Sequence, residues 1–181
     1  MKKQCCIFLV LLVTITLPSF VQAQKFTSLD KSPLDMVYLK SSDEKPVPLI
    51  KVIYSRPQKK GRTMIGGNEP FGKIWRTGAN ETTEIKFYKD VRFGGKLLKA
   101  GTYSLYTIPN EDKWTIIVNS KLDTWGAYEY EVDKDVVRFE VPVIATKDEL
   151  EVFSIAFDKK EGELAMYLAW EQVHVRIPIS Y

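Results

Sequence analysis

The chain has 181 residues, 45% of them hydrophobic and 27% charged, with 26 Lys and Arg against 23 Asp and Glu. A formal net charge of +3 excludes the one-sided basic footprint that binding a nucleic-acid backbone requires. With two cysteines and one histidine, a Cys/His zinc site and Ser-His-Asp chemistry both lack parts, so no metal, cofactor or catalytic residue is expected.

At the N-terminus, Lys2 and Lys3 precede an apolar run from Cys5 to Leu17 that breaks at Pro18 and leads to Val21-Gln22-Ala23. This is the order of a secretory signal peptide, with cleavage expected after Ala23. The run is too short for a membrane span, which needs roughly 20 apolar residues. Its cysteines stand at its beginning, where lipid attachment would not find them. Residues 1–23 are therefore read as a signal peptide and residues 24–181 as a single exported domain, periplasmic or extracellular. Removing residues 1–23 takes Cys5, Cys6, Lys2 and Lys3, leaving 24 basic against 23 acidic residues, a net of +1. Such a domain has no internal disulfide, and packing alone must hold it; about 150 residues suffice for that.

Beyond Gln24, short β-branched and aromatic runs punctuated by Gly, Pro, Asn and Asp recur about every ten residues. Strands are expected over 36–39, 49–54, 82–88, 91–93, 96–98, 102–108, 114–119, 136–143, 151–157, 164–170 and 173–179. In the last, Val173, Val175, Ile177 and Ile179 alternate with Gln172, His174, Arg176 and Pro178, so one face is apolar and His174 is a solvated strand residue. Phe153, Ile155 and Phe157 share a face, and Asp158 to Gly162 turns the chain into Leu164, Met166, Leu168 and Trp170. The expected fold is all-β, a two-sheet antiparallel β-sandwich of jelly-roll or Ig-like type. Residues 55–80 and 120–134 fall outside the rhythm as two long loops, which compact domains rarely carry without a function.

The first loop reads Tyr54-Ser55-Arg56-Pro57, Lys60-Gly61-Arg62, Ile65-Gly66-Gly67, Pro70-Phe71-Gly72 and Trp75-Arg76-Thr77-Gly78-Ala79-Asn80-Glu81-Thr82-Thr83. Further on come Gly95 to Tyr106, Trp114 to Asn119, Trp125-Gly126-Ala127-Tyr128 and Ala169-Trp170-Glu171. These strings resemble domain-of-unknown-function family 2911 over nearly all of the chain beyond residue 24. The resemblance implies an exported bacterial protein of a group widespread in Bacteroidetes, and no activity. One departure is Glu69, where an apolar residue is expected before Pro70-Phe71.

Arg56, Lys60, Arg62 and Arg76 lie near Tyr54, Phe71 and Trp75, a mixture suited to an anionic or sugar-like ligand: guanidinium forks pair with carboxylate or phosphate, and an indole face stacks on a ring. The alternative is that Arg56 and Arg76 pin the loop to Glu81, Glu84 or backbone carbonyls while Trp75 plugs the core. The second loop offers Asp123, Trp125 and Tyr128, either as a stacking platform or as a cap on the end of the fold. Asn80-Glu81-Thr82 matches a glycosylation acceptor, relevant only in a host that modifies it. Glu81, Glu84, Asp123 and Glu129 could supply a carboxylate pair for hydrolysis, but nothing in the sequence fixes their separation. The leading expectation is noncatalytic binding of a small polar, anionic or glycan ligand through Arg56, Lys60, Arg62, Trp75, Arg76, Asn80, Trp125 and Tyr128. The alternatives are a structural or partner-binding envelope protein and a carboxylate-dependent hydrolase.

Overall fold

The computed structural model describes residues 24–41, 46–160 and 163–181. The expected signal peptide, residues 1–23, and the Glu161-Gly162 part of the expected turn lie outside them. Among the described residues nine strands form: β1 (Leu34–Lys40), β2 (Pro48–Ser55), β3 (Ala79–Phe87), β4 (Val91–Phe93), β5 (Lys96–Leu98), β6 (Gly101–Ile108), β7 (Lys113–Asn119), β8 (Asp135–Lys160) and β9 (Glu163–Ser180), with one 3-10 turn at Val132–Lys134. The pairings between these strands are antiparallel, in the order β1-β2-β3-β6-β7-β8-β9-β4-β5.

The all-β, antiparallel expectation is met, but in place of two separate sheets hydrogen bonding runs through all nine strands. Strand β8 makes the continuity. Its first residues pair with β7, from Asp135 against Asn119 to Pro142 against Lys113, and from Val143 onward it pairs with β9. Expected strands 136–143 and 151–157 are thus one, as are 164–170 and 173–179. The joins are bulges. Between the Ala145–Val173 and Leu150–Glu171 pairs β8 advances five residues while β9 goes back two. On β9, Glu171 takes φ 53°, and the buried residues change phase there, from Met166, Leu168 and Trp170 to Val175, Ile177 and Ile179. Extra residues in one strand bend it and shift its register without ending the pairing.

Alternation selects the inward face of every strand: Ile50, Val52 and Tyr54 from β2, Ile85 and Phe87 from β3, and Trp114, Ile116 and Val118 from β7 are buried in one cluster with Phe153, Trp170 and Ile177. Strands distant in the sheet order meet across this cluster. Phe87 of β3 packs edge-on to Phe93 of β4 with centroids 5.5 Å apart, and the Ile155 amide donates to the Tyr54 hydroxyl at 3.0 Å. Gly94, at φ 59°, carries the chain from β4 to β5 where a Cβ would stand 2.1 Å from the Phe139 ring, so only glycine fits.

Part of the opposite face is covered as well. Tyr106 of β6 and Ile117 of β7 are paired neighbours, both buried although they point away from the core cluster. Residues 120–134 lie over them: Tyr130 packs edge-on to Tyr106 at 5.1 Å, and Thr124 meets the Tyr106 hydroxyl at 2.9 Å. Burial, then the bond to Asp135, raises the Tyr130 hydroxyl pKa to about 12, which keeps it a donor to that carboxylate at 2.7 Å. The second long loop is thereby built onto the outer face of the sheet, and the site follows from that.

Candidate functional site

Beside this loop the outer face forms an open cleft of about 660 Å³. Its floor is a row in register across three strands, Ile53 of β2, Glu84 of β3 and Ser104 of β6. One wall is Asp30, Ser32 and Leu34, the other is Leu122, Asp123, Thr124 and Trp125, and Asn80, Glu81 and Thr82 close one end. Alternation puts Glu84 outward because Thr83 and Ile85 go inward, so the polar floor is a direct result of the strand pattern.

The start of β3 carries the most unusual backbone. Thr77 (φ 56°) and Asn80 (φ 60°) adopt left-handed conformations, as does Asp123 (φ 58°) on the facing loop. Asn and Asp tolerate this region; a β-branched threonine does not without cost, and such strain concentrates at sites where geometry is held for a purpose. Thr77 is held by its surroundings. Its carbonyl accepts from the Thr83 hydroxyl at 2.7 Å, and its own hydroxyl donates to Thr107 at 3.2 Å. Asn80 donates to Asp30 at 3.0 Å, tying the end of the cleft to one wall. That bond and the Ser32 amide, the larger effect, hold the Asp30 carboxyl below its ordinary pKa. Thr82 bonds the Gly126 carbonyl at 2.6 Å and Thr124 at 2.9 Å, locking the loop to β3.

Among the expected ligand residues, Asn80 and Trp125 line this cleft. Trp125 is 57% exposed, with Tyr128 stacked near-parallel at 5.9 Å and the Arg76 guanidinium 5.6 Å from its centroid. Arg76, Trp125 and Tyr128 therefore gather as one group at the end of the cleft, with Arg76 half-buried and donating to the Gly78 carbonyl. The others lie elsewhere. Arg56 is spent on three intramolecular bonds, to the Phe153 carbonyl (3.1 Å), Asp35 (2.9 Å) and Ser154 (2.7 Å). The exposed Arg62 folds back onto the Lys59 and Gln58 carbonyls. The exposed Lys60 takes φ 49° and donates its amide to Glu151. Trp75 is 3% exposed, stacked on Trp170 at 5.8 Å, edge-on to Trp114 and Phe153, with its N–H given to the Gly78 carbonyl.

Three of the four carboxylates weighed for hydrolysis, Glu81, Glu84 and Asp123, do line the cleft, joined by Asp30; Glu129 does not. No lysine or arginine is among the lining residues. Asp30 and Ser104 had no signal in composition or motif; Ser104 is legible only once β6 is placed beside β3, as an outward position next to Glu84. His174 lies beside Tyr167 on β9, its pKa lowered by burial, far in the sheet order from the cleft floor. Among the described residues no group of His, Cys, Asp and Glu is arranged to hold a metal ion, and no helix is long and apolar enough to cross a membrane.

No curated protein and no solved structure matches the chain. A family model does, over residues 35–179, spanning every strand from β1 to β9, and the chain belongs to that family, described as protein of unknown function (DUF2911).

Proposed function

We propose that this is an exported, noncatalytic binding protein whose outer-face cleft takes a small, uncharged polyhydroxylated ligand, a glycan fragment. The observation that carries this reading is the composition of the cleft. Four carboxyl groups, an amide and the hydroxyls of five serines and threonines surround a space of about 660 Å³ with an exposed indole at one end. Carboxylates and amides accept and donate to adjacent sugar hydroxyls, while an indole face covers the apolar side of a ring. An anionic ligand is disfavoured, because each exposed carboxylate at about 4 Å would repel it by about 1 kcal/mol even in water. The folded-over sheet serves as a sandwich-like platform, leaving the outer face of β2, β3 and β6 free for the ligand. Export rests on the order of residues 1–23.

Isothermal titration with neutral oligosaccharides and, in parallel, citrate and glucuronate tests the reading. Neutral sugars should bind and anions should not, and Glu84→Gln and Trp125→Ala should each weaken binding at least tenfold. Binding unchanged in both variants, or confined to the anions, refutes the site.

The partner-binding alternative is favoured by one observation. Leu34, Met36 and Tyr38 point from the same side of the edge strand β1 and are 67%, 50% and 38% exposed. Edge strands with exposed apolar residues are sites of strand addition by other chains. Retention of a partner by the wild-type protein and its loss in Met36→Lys, with sugar binding intact, would assign that role to β1.

A further inference from the structure

The row that floors the cleft is not uniform along its length. In register it runs from Met36 of β1 through Ile53 of β2 and Glu84 of β3 to Ser104 of β6. Its β3–β6 half is polar and its β1–β2 half is apolar. The apolar half continues beyond the cleft. Strand β1 alternates, with Val37 and Leu39 packed against the core, so Leu34, Met36 and Tyr38 are aligned on the outer face as an exposed stripe. Leu34 belongs to both features, lining the cleft and beginning the stripe, and Ile53 lines the cleft while pairing with Met36. At the far end the stripe closes in charge: the Lys40 ammonium lies 6.0 Å from the Tyr38 ring centroid, and Lys51 is paired with Tyr38.

Resting on the reading of the cleft as a glycan site, we propose that its ligand is a glycan carrying a single alkyl chain. The sugar lies among Glu84, Asn80 and Trp125, and the chain runs out past Leu34 along Met36 and Tyr38. The stripe has the dimensions for this. Strand β1 rises about 13 Å from Leu34 to Tyr38, and neighbouring strands are about 4.8 Å apart, which gives a strip long and narrow enough for one extended chain. A protein docked on this face would need about 20–30 residues a side, far more than Leu34, Met36, Tyr38 and Ile53 supply. Apolar surface left exposed beside a polar cleft gains when such a chain leaves water to cover it.

The test is isothermal titration with cellobiose and maltose, with the octyl glycoside of each, and with octyl tetraethylene glycol, all below their micelle concentrations. A methylene taken fully out of water strengthens binding about fourfold, and a chain on an open face is covered on one side only, so an octyl glycoside should bind about tenfold to a hundredfold tighter than its free disaccharide. Met36→Lys alters an exposed residue outside the cleft lining; it should bind the free disaccharide as the wild type does and lose the octyl gain. Disaccharide binding with no octyl gain, or a gain retained in Met36→Lys, overturns the chain site and leaves the sugar cleft standing. Octyl tetraethylene glycol binding as tightly as the glycosides overturns it too, because the chain is then recognised without a sugar. A wild-type dimer in sedimentation that Met36→Lys dissociates assigns the stripe to a second copy and likewise overturns it. Absence of binding by every sugar and glycoside overturns the cleft reading and the chain site together.

Discussion

Replacing Arg56 by alanine separates a structural arginine from a ligand-binding one. Its guanidinium joins three elements at once, donating to Asp35 on β1 and to the Phe153 carbonyl and Ser154 hydroxyl on β8, from the end of β2. At about 0.5–1.5 kcal/mol net for each bond the sum is a few kcal/mol. The pair with Asp35 is open to solvent, with side-chain exposures of 32% and 42%, so water replaces part of what is lost and about 2 kcal/mol remains. For a domain of this size that is a fall of about 4–8 °C in Tm. Urea denaturation and calorimetry measure it, and sugar binding well below the transition should be unchanged because Arg56 does not line the cleft. Arg56→Lys, keeping the charge and losing the fork, should fall between the two. An Arg56→Ala protein that melts with the wild type but no longer binds would refute the clamp and return Arg56 to the site.

Three further outcomes follow from particular residues. Burial raises the Glu69 carboxyl from 4.5 to about 7 against the opposing pull of Arg76. The folded state therefore holds a proton the unfolded chain has released. Stability should fall by on the order of 1 kcal/mol as pH rises from 4.5 through 7, and in Glu69→Gln, which cannot ionise, that part of the pH dependence of Tm should vanish; an identical slope in the variant would contradict it. Gly94→Ala would drive a methyl into Phe139 at a positive φ and should cost more than about 3 kcal/mol, read as loss of soluble folded protein or a fall of many degrees in Tm. Asp123→Gly relieves the left-handed backbone and removes a cleft carboxylate, so the variant should melt slightly higher, by up to about 1 kcal/mol, yet bind sugar more weakly. Stability and affinity moving together in that variant would argue against a strained binding loop.

The strands of the first two-thirds of the chain are legible in the sequence because each is a local pattern: Val91–Phe93 and Lys96–Leu98 fall where glycines and alternation put them. The long strands β8 and β9 are not, because their bulges leave polar residues at 146–149 and a change of phase at Glu171, which read locally as interruptions. The candidate site is legible in outline, since Asn80 and Trp125 line the cleft and Arg76 and Tyr128 adjoin Trp125. Arg56 and Trp75 show why the rest was hidden. Both stand in a loop rich in glycine and arginine and resemble ligand contacts, yet their partners Ser154, Phe153 and Trp170 are some 80 to 100 residues away in sequence. Which side of that choice an arginine falls on depends on which strands the topology brings beside it, and periodicity carries no record of that.

The same topology explains why the cleft can be strained without endangering the fold. The aromatic cluster of Trp75, Trp114, Phe153 and Trp170 lies on the inner face, just beneath the point where residues 76–80 turn back toward β3, and Trp75 is bonded through its backbone to Thr107 in both directions at 2.8 and 2.9 Å. Aromatic burial of this kind contributes several kcal/mol per ring, more than the roughly 1–3 kcal/mol that a left-handed Thr77 consumes. The strained turn is therefore anchored from below by Trp75 and from the side by Thr83, and Asn80 is held pointing along the outer face, where it meets Asp30. Loosening the anchor should loosen the site: a protein in which Trp75 is replaced by Phe retains a ring in the core but loses the N–H bond to Gly78, and the cleft rather than the sheet is the part that bond shapes.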